Sequence, residues 1–339
     1  MPSPLPDLSA PDWTLSLVSA LEQAALAISR LDTRISATSA DAAWRLRACW
    51  SGYAAALRAQ GVEIDEIDIF SREYDLPLPG RRPIATLYNE LSGLESWRDE
   101  LRQARRQHWR ELIPLSLDLP GDWSDRPLLL RALELGARYA RAERSSGPWL
   151  AFPALLGALG VTRNVLPCLV PADKAWRLAP RDRAAIVPRY LKSLTRLAED
   201  ALEQLSAIEA SRQAAARAIA AERRPGALGT LLARLMIAPL TTPREVARTL
   251  DLTLSGAGKL LARAAALDLV VEVSARQSWR VYLARDLATR YGFVAARRGR
   301  PPAPAASTPP IDDALARFDA EMAALDAQLA RLGVTAPAD

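Results

Sequence analysis

Apolar residues recur at helical spacing along most of this chain. Leu17, Leu21, Ala24, Ala25, Ile28 and Leu31 share one face of a helix expected from Trp13 to about Leu31, after a proline-rich lead-in over residues 1–12 that reads as disordered. Trp44, Leu46, Cys49, Tyr53 and Leu57 mark a second helix, about Ala40 to Gln60, stopped by Gly61. Val62 to Ile69 alternates apolar and acidic residues apart from the Asp65–Glu66 pair. With no partner strand nearby, it reads as an extended segment entering a short helical turn. Further helices are expected over about Ile84–Leu112, Pro127–Arg144, Trp149–Leu159 and, longest, Arg181 to about Arg223, with residues 161–180 irregular between prolines. The prediction is a mainly α protein whose N-terminal region, residues 13–224, is all helix.

The pattern changes after Arg224-Pro225-Gly226. Leu228–Met236 opens a second region as its first helix. Thr242, Pro243 and Glu245 compose a capping box with proline at the first helical position, starting a helix over Pro243–Leu250. Asp251-Leu252-Thr253 make a tight turn, and Thr253 caps a helix from Leu254 to about Leu267. Two β-rich runs, Leu269–Val273 and Trp279–Leu283, flank residues 274–278 and read as a hairpin. Helix, three-residue turn, helix and hairpin are the parts of a winged helix-turn-helix, here over 226–296, which lays its second helix in a major groove of double-stranded DNA.

On that reading Ser255, Gly258 and Lys259 face the groove, while Arg244, Thr253 and Arg263 reach phosphates. Arg276 at the hairpin tip and Arg280 touch the backbone or minor groove. Gly256 and Gly258 in one helical turn cost about 1 kcal/mol each against alanine. Close approach of backbone to DNA explains them, and so does a helix ordered only by its partner.

A further helical segment is expected from Asp286 to about Ala296. Residues 297–310 form a basic, proline-rich linker, in which Arg298-Gly299-Arg300-Pro301 matches the core of an AT-hook, whose arginines enter a narrow minor groove. A flexible basic linker is the other reading. Ile311, Leu315, Phe318, Met322, Leu325, Leu329 and Leu332 then make an a/d seam in a final helix, 311–333. This seam suits a homodimer or packing back onto the same chain.

Charge placement strengthens the DNA reading. The net charge is +5 over 339 residues. Thr241–Arg300 carries eleven basic residues against five acids, a local +6, whereas the tail from Pro301 is at −4. A cationic patch on the second region is the footprint of a phosphate-backbone binder. Cys49 and Cys168 fit neither a disulfide scaffold nor a metal site, which suggests a reducing cytoplasm. No apolar run approaches the ~18 residues of a membrane span, and Asp7 and Asp12 argue against a secretion signal.

Enzyme chemistry finds little purchase. The single histidine, His108, sits among arginines on the long helix expected there. There is no nucleophile elbow and no phosphate-binding glycine loop. Asp65, Glu66 and Asp68 form an acidic run rather than a paired acid site, and Trp13, Trp44, Trp50, Trp97 and Trp109 read as core or solvated faces. No cofactor, metal or catalytic residue is expected.

Leu228-x-x-Leu231-Leu232, Ala238-Pro239-Leu240 before Thr241, and the hairpin end Arg280-Val281-Tyr282 resemble the winged helix appended to many Fic-family proteins. The helical leader of those proteins is similar to the Leu21–Leu31 and Trp44–Gln60 segments. The Fic catalytic loop, His-Pro-Phe-x-Asp/Glu-Gly-Asn-Gly-Arg, is absent, because the lone histidine precedes Trp109. As a whole the chain looks more like a smaller bacterial family, often plasmid-borne, that keeps the helical region and the helix-turn-helix without that loop. The resemblance implies DNA binding. The expected role is transcriptional regulation. The alternatives are plasmid or mobile-element maintenance, or a protein-interaction scaffold of degenerate Fic-like architecture.

Overall fold

In the computed structural model, which describes residues 13–78, 81–103, 107–119, 121–177, 183–274, 280–295 and 320, the chain is mainly helical with a small three-stranded antiparallel sheet. The linker, the heptad seam, the hairpin tip and the lead-in expected from the sequence lie outside those residues. Among the described residues no helix is long and apolar enough to cross a membrane.

Thr14 caps α1 (Leu15–Ala37), its hydroxyl accepting the Leu17 N–H at 3.2 Å. The buried face of α1, with Leu17, Ala24, Ile28, Leu31 and Ile35, packs along α9 (Arg183–Ala221) through Leu194, Ala198, Leu205 and Ile208. Helix α2 (Asp41–Ala59) is buried nearly all round, as expected of a helix with apolar residues on every side. One side of it (Ala43, Trp44, Ala48) joins the core shared with α1 and α9. The other (Cys49, Trp50, Tyr53, Leu57) joins a second core. Gly52 makes this centre possible, because a Cβ there would lie 2.0 Å from the Pro167 carbonyl oxygen.

The acidic stretch becomes helix from Glu66 onward, as α3 (Glu66–Glu73). Asp65 and Asp68 close a capping box, the Asp68 carboxylate accepting the Asp65 N–H at 2.8 Å, and residues 62–65 form no strand.

The long helix expected over 84–112 does not form. In its place are a 3-10 turn at Ile84–Leu87, α4 (Tyr88–Leu91), α5 (Leu94–Gln103) and, beyond residues 104–106, α6 (Trp109–Leu112). Gly93 stands at the first break, where a Cβ would come within 2.9 Å of the Tyr53 hydroxyl, so tertiary packing favours a corner over helical continuity. His108 is the N-cap of α6, with Nδ1 accepting the Arg110 N–H at 3.3 Å, and does not lie inside a long helix.

α7 (Leu128–Ala142) and α8 (Gly147–Ala158) complete the first core around Trp149, Phe152 and Trp176. The irregular stretch that follows is fastened by Asp32. Its buried carboxylate accepts the backbone N–H groups of Arg163 (2.8 Å) and Asn164 (2.9 Å) and the Asn164 side-chain amide (2.9 Å).

After the break at Pro225-Gly226 come α10 (Leu228–Ile237), β1 (Leu240–Thr241), α11 (Pro243–Leu250), α12 (Leu254–Ala266), β2 (Val270–Glu272), β3 (Tyr282–Ala284) and α13 (Arg285–Arg290). Strand β3 is central: Leu240 pairs with Leu283 and Thr241 with Tyr282 on one side, and Val271 with Leu283 and Glu272 with Tyr282 on the other. The two-residue strand β1 escaped the sequence reading because it is too short to show alternation.

The sheet is buried on both faces. Tyr282 enters the core made by α10, α11 and α12, whereas Leu283 and Leu240 enter the second core beside Trp50 and Phe70. The last helix is shorter than the 286–296 expected, since Gly292 turns the chain at φ +76°. Contacts group the described residues through Val294 as one compact unit.

Candidate nucleic-acid interface

Helices α11 and α12 are built by their caps. Thr242 Oγ1 accepts the Glu245 N–H at 3.2 Å, half of the capping box expected there. The Glu245 carboxylate does not return to the cap. It accepts hydrogen bonds from Arg234 on α10 (2.6 Å) and Thr241 Oγ1 (3.3 Å), tying α11 to its neighbour. Asp251 adopts the left-handed conformation (φ 51°, ψ 50°) that a short polar side chain tolerates. Thr253 Oγ1 then accepts the Gly256 N–H at 3.1 Å and starts α12.

The inner face of α12 (Ala257, Leu260, Leu261, Ala264) is core. Leu254, Ser255, Lys259 and Ala262 lie exposed on the outside, Ser255 and Lys259 one turn apart. Lys259 makes no ion pair with any described residue. Gly258 lies in unbroken helix with nothing within 4 Å of where a Cβ would stand, so no intramolecular contact requires a glycine there. Gly256 differs: a Cβ would press on Thr253 Oγ1 at 3.1 Å and disturb the cap.

Not every expected phosphate ligand is on this surface. Arg263 Nη2 bonds to the Glu222 carboxylate and the Arg224 carbonyl (2.8 Å), so its guanidinium braces α12 against the end of α9 instead of pointing outward. Arg244 is exposed at the first turn of α11, and Arg248 is exposed further along. Arg280, over half exposed, stands 3.7 Å from Glu272, and hydrogen bonding with Tyr282 first, and the Glu272 charge second, hold it further into its charged range. Arg276, Arg298 and Arg300 lie outside the described residues.

Two basic residues were missed. Arg223 and Arg224, both exposed, end the α9 segment beside Arg263 and extend the basic surface past the C-terminal end of α12. In sequence they read only as a helix break before Pro225-Gly226, since nothing local says that residues 224 and 263 meet.

The acidic stretch is taken up by internal pairs. Glu66 takes a two-pronged hydrogen bond from Arg290 (2.6 and 3.3 Å) and one from the Tyr291 hydroxyl (3.2 Å). Burial first, and the Glu66 carboxylate second, push the Tyr291 phenol well above its usual range. Asp65 and Asp68 are paired with Arg81. Burial raises both thiols, Cys49 to about 11, which leaves them protonated and poorly nucleophilic at neutral pH. No group of metal-ligating side chains is assembled among the described residues. Compared with protein-family models and with curated proteins, the chain matches none.

Proposed function

We propose that this protein binds double-stranded DNA through a winged helix-turn-helix formed by α10 to β3, and that it regulates transcription. The observation that carries the reading is α12: one face is locked in a core, and the other offers Ser255, Lys259 and the flat surface at Gly258 to solvent. An element order of helix, strand, two helices and a strand pair, with the first strand joined to the last, supports it. α12 enters the major groove, and Arg244, Arg248, Arg223 and Arg224 contact the flanking backbone. The exposed Leu254 meets a thymine methyl in the same groove.

Fluorescence-anisotropy titration with duplex DNA tests the reading. Affinity that falls steeply as salt rises from 50 to 200 mM is the expected result, as about six or more phosphate contacts require. Salt-independent or absent binding overturns it. Genome-wide occupancy then separates a regulator, bound at a few promoters, from a plasmid-maintenance protein clustered near an origin.

A further inference from the structure

A cavity of about 760 Å³ opens between α1, α2, α5 and the end of α10. Its size is that of a small-molecule site. Leu46, Leu101, Val165 and Pro167 supply an apolar floor, and three guanidiniums, Arg45, Arg98 and Arg102, reach it against one carboxylate, Asp41. The other ion-pair partners of these arginines, Glu73 for Arg98 and Asp99 for Arg102, do not line the cavity.

Arg45 is held in place by the Val165 carbonyl (3.1 Å) and Asn164 Oδ1 (3.0 Å), and it pairs with Asp41 at 3.7 Å. Arg98 is largely buried, and its Nε has no hydrogen-bond partner beyond the neighbouring Cys49 thiol.

We infer that the cavity binds a small organic anion with an apolar body, and that this ligand acts on the DNA-binding segment. The anionic head pairs with the guanidiniums and the body covers the floor. The second half of the inference rests on the proposed function and on Ile237. This residue ends α10 three positions before β1, lines the cavity, and is 60% exposed. A ligand that covers Ile237 ties α1, α2 and α5 to α10. Through Arg234 and Glu245, α10 in turn holds α11.

Calorimetric titration of the full-length protein with benzoate, naphthalene-2-carboxylate, indole-3-acetate and octanoate tests the site, with 2-naphthalenemethanol as the neutral counterpart. One saturable site is expected for at least one of the anions, with naphthalene-2-carboxylate binding ~10-fold or more tighter than the alcohol, as a charge-assisted hydrogen bond implies. Arg102→Glu and Ile237→Asp change exposed residues, so the fold survives, and each lowers affinity ~10-fold by placing a negative charge at the mouth. No saturable binding by any of the four, equal affinity for the alcohol, or indifference to both substitutions overturns the site.

Hydrogen exchange with and without the bound anion tests the coupling. Greater protection across 234–241 is expected, and unchanged protection overturns it. Neither measurement involves DNA, so failure of the DNA-binding proposal shows itself separately in the anisotropy titration.

Discussion

Arg47 on α2 and Asp286 on α13 form a buried ion pair, with side chains only 3% and 8% exposed. They are separated by most of the chain, yet they fasten the segment following the sheet to the central helix of the N-terminal region. Glu66 with Arg290 and Tyr291 makes a second tie, and Tyr291 inserts beside Phe70 with ring centroids 5.1 Å apart. The sheet and α13 are therefore seated on the body by polar and apolar contacts together.

Removing one member of the Arg47–Asp286 pair leaves a buried charge uncompensated. Arg47→Met or Asp286→Leu alone is expected to lower the unfolding free energy by about 3–5 kcal/mol, and the double variant by much less. Urea unfolding of the three variants measures both quantities. Equal losses in single and double variants would show that the pair acts merely as packing volume.

The proposed docking separates two kinds of side chain. Lys259→Ala is expected to weaken DNA binding by about 1–3 kcal/mol and to relax sequence preference, because the residue faces base edges. Arg223→Ala with Arg224→Ala is expected to weaken all duplexes alike and to reduce the salt slope by about one per lost phosphate contact. Competition titrations with specific and random duplexes distinguish them.

The two glycines of α12 are expected to respond oppositely. Gly258→Ala meets open space and should raise stability by about 0.8–1 kcal/mol while lowering DNA affinity, since the added methyl stands on the exposed side. Gly256→Ala crowds the Thr253 hydroxyl, so loss of the cap offsets its gain in helix propensity. Melting curves of both variants, beside DNA titrations, check this.

Alkaline pH should unfold the protein in a defined order. Burial raises the Cys49 thiol from 9.0 to about 11, so the folded state holds that proton more tightly than the unfolded chain. The contribution is complete below about pH 9 and is lost as pH climbs through about 11, at up to ~1.4 kcal/mol per pH unit for one proton. Cys168 acts in the same direction above pH 9, and Tyr74, Tyr190 and Tyr291 above pH 10, all of them raised by burial. Cys49→Ala should make the fall in stability between pH 9 and 11 shallower by about one proton's share, with the Cys168 and tyrosine contributions left in place, as measured by chemical unfolding across that range.

Much of the candidate interface was legible because its signals are local. Thr242 and Thr253 announce α11 and α12 through short-range capping chemistry, and the apolar spacing of Ala257, Leu260, Leu261 and Ala264 fixes which side of α12 faces inward. Local signals misled where a distant group competes. Glu245 looked like the return half of a capping box until Arg234 supplied a charged partner. Arg263 looked like a phosphate ligand until the end of α9 brought Glu222 beside it. The 84–112 stretch had enough helical periodicity to read as one rod, but Tyr53 occupies the space at Gly93 and the chain turns.

By itself the sequence determined the mainly helical class, the start of α1 and the positions of α2 and α7 to α12 to within a few residues, and the cationic bias after Thr241, because periodicity, caps and charge are properties of neighbours along the chain. Helix α1 runs on to Ala37, past the Leu31 expected. Only the tertiary structure decided that β1 completes the sheet, that Leu283 turns toward Trp50 while Tyr282 turns toward α12, and which arginines remain exposed once their acidic partners arrive. Those outcomes depend on groups tens to hundreds of residues apart, whose meeting no local pattern encodes.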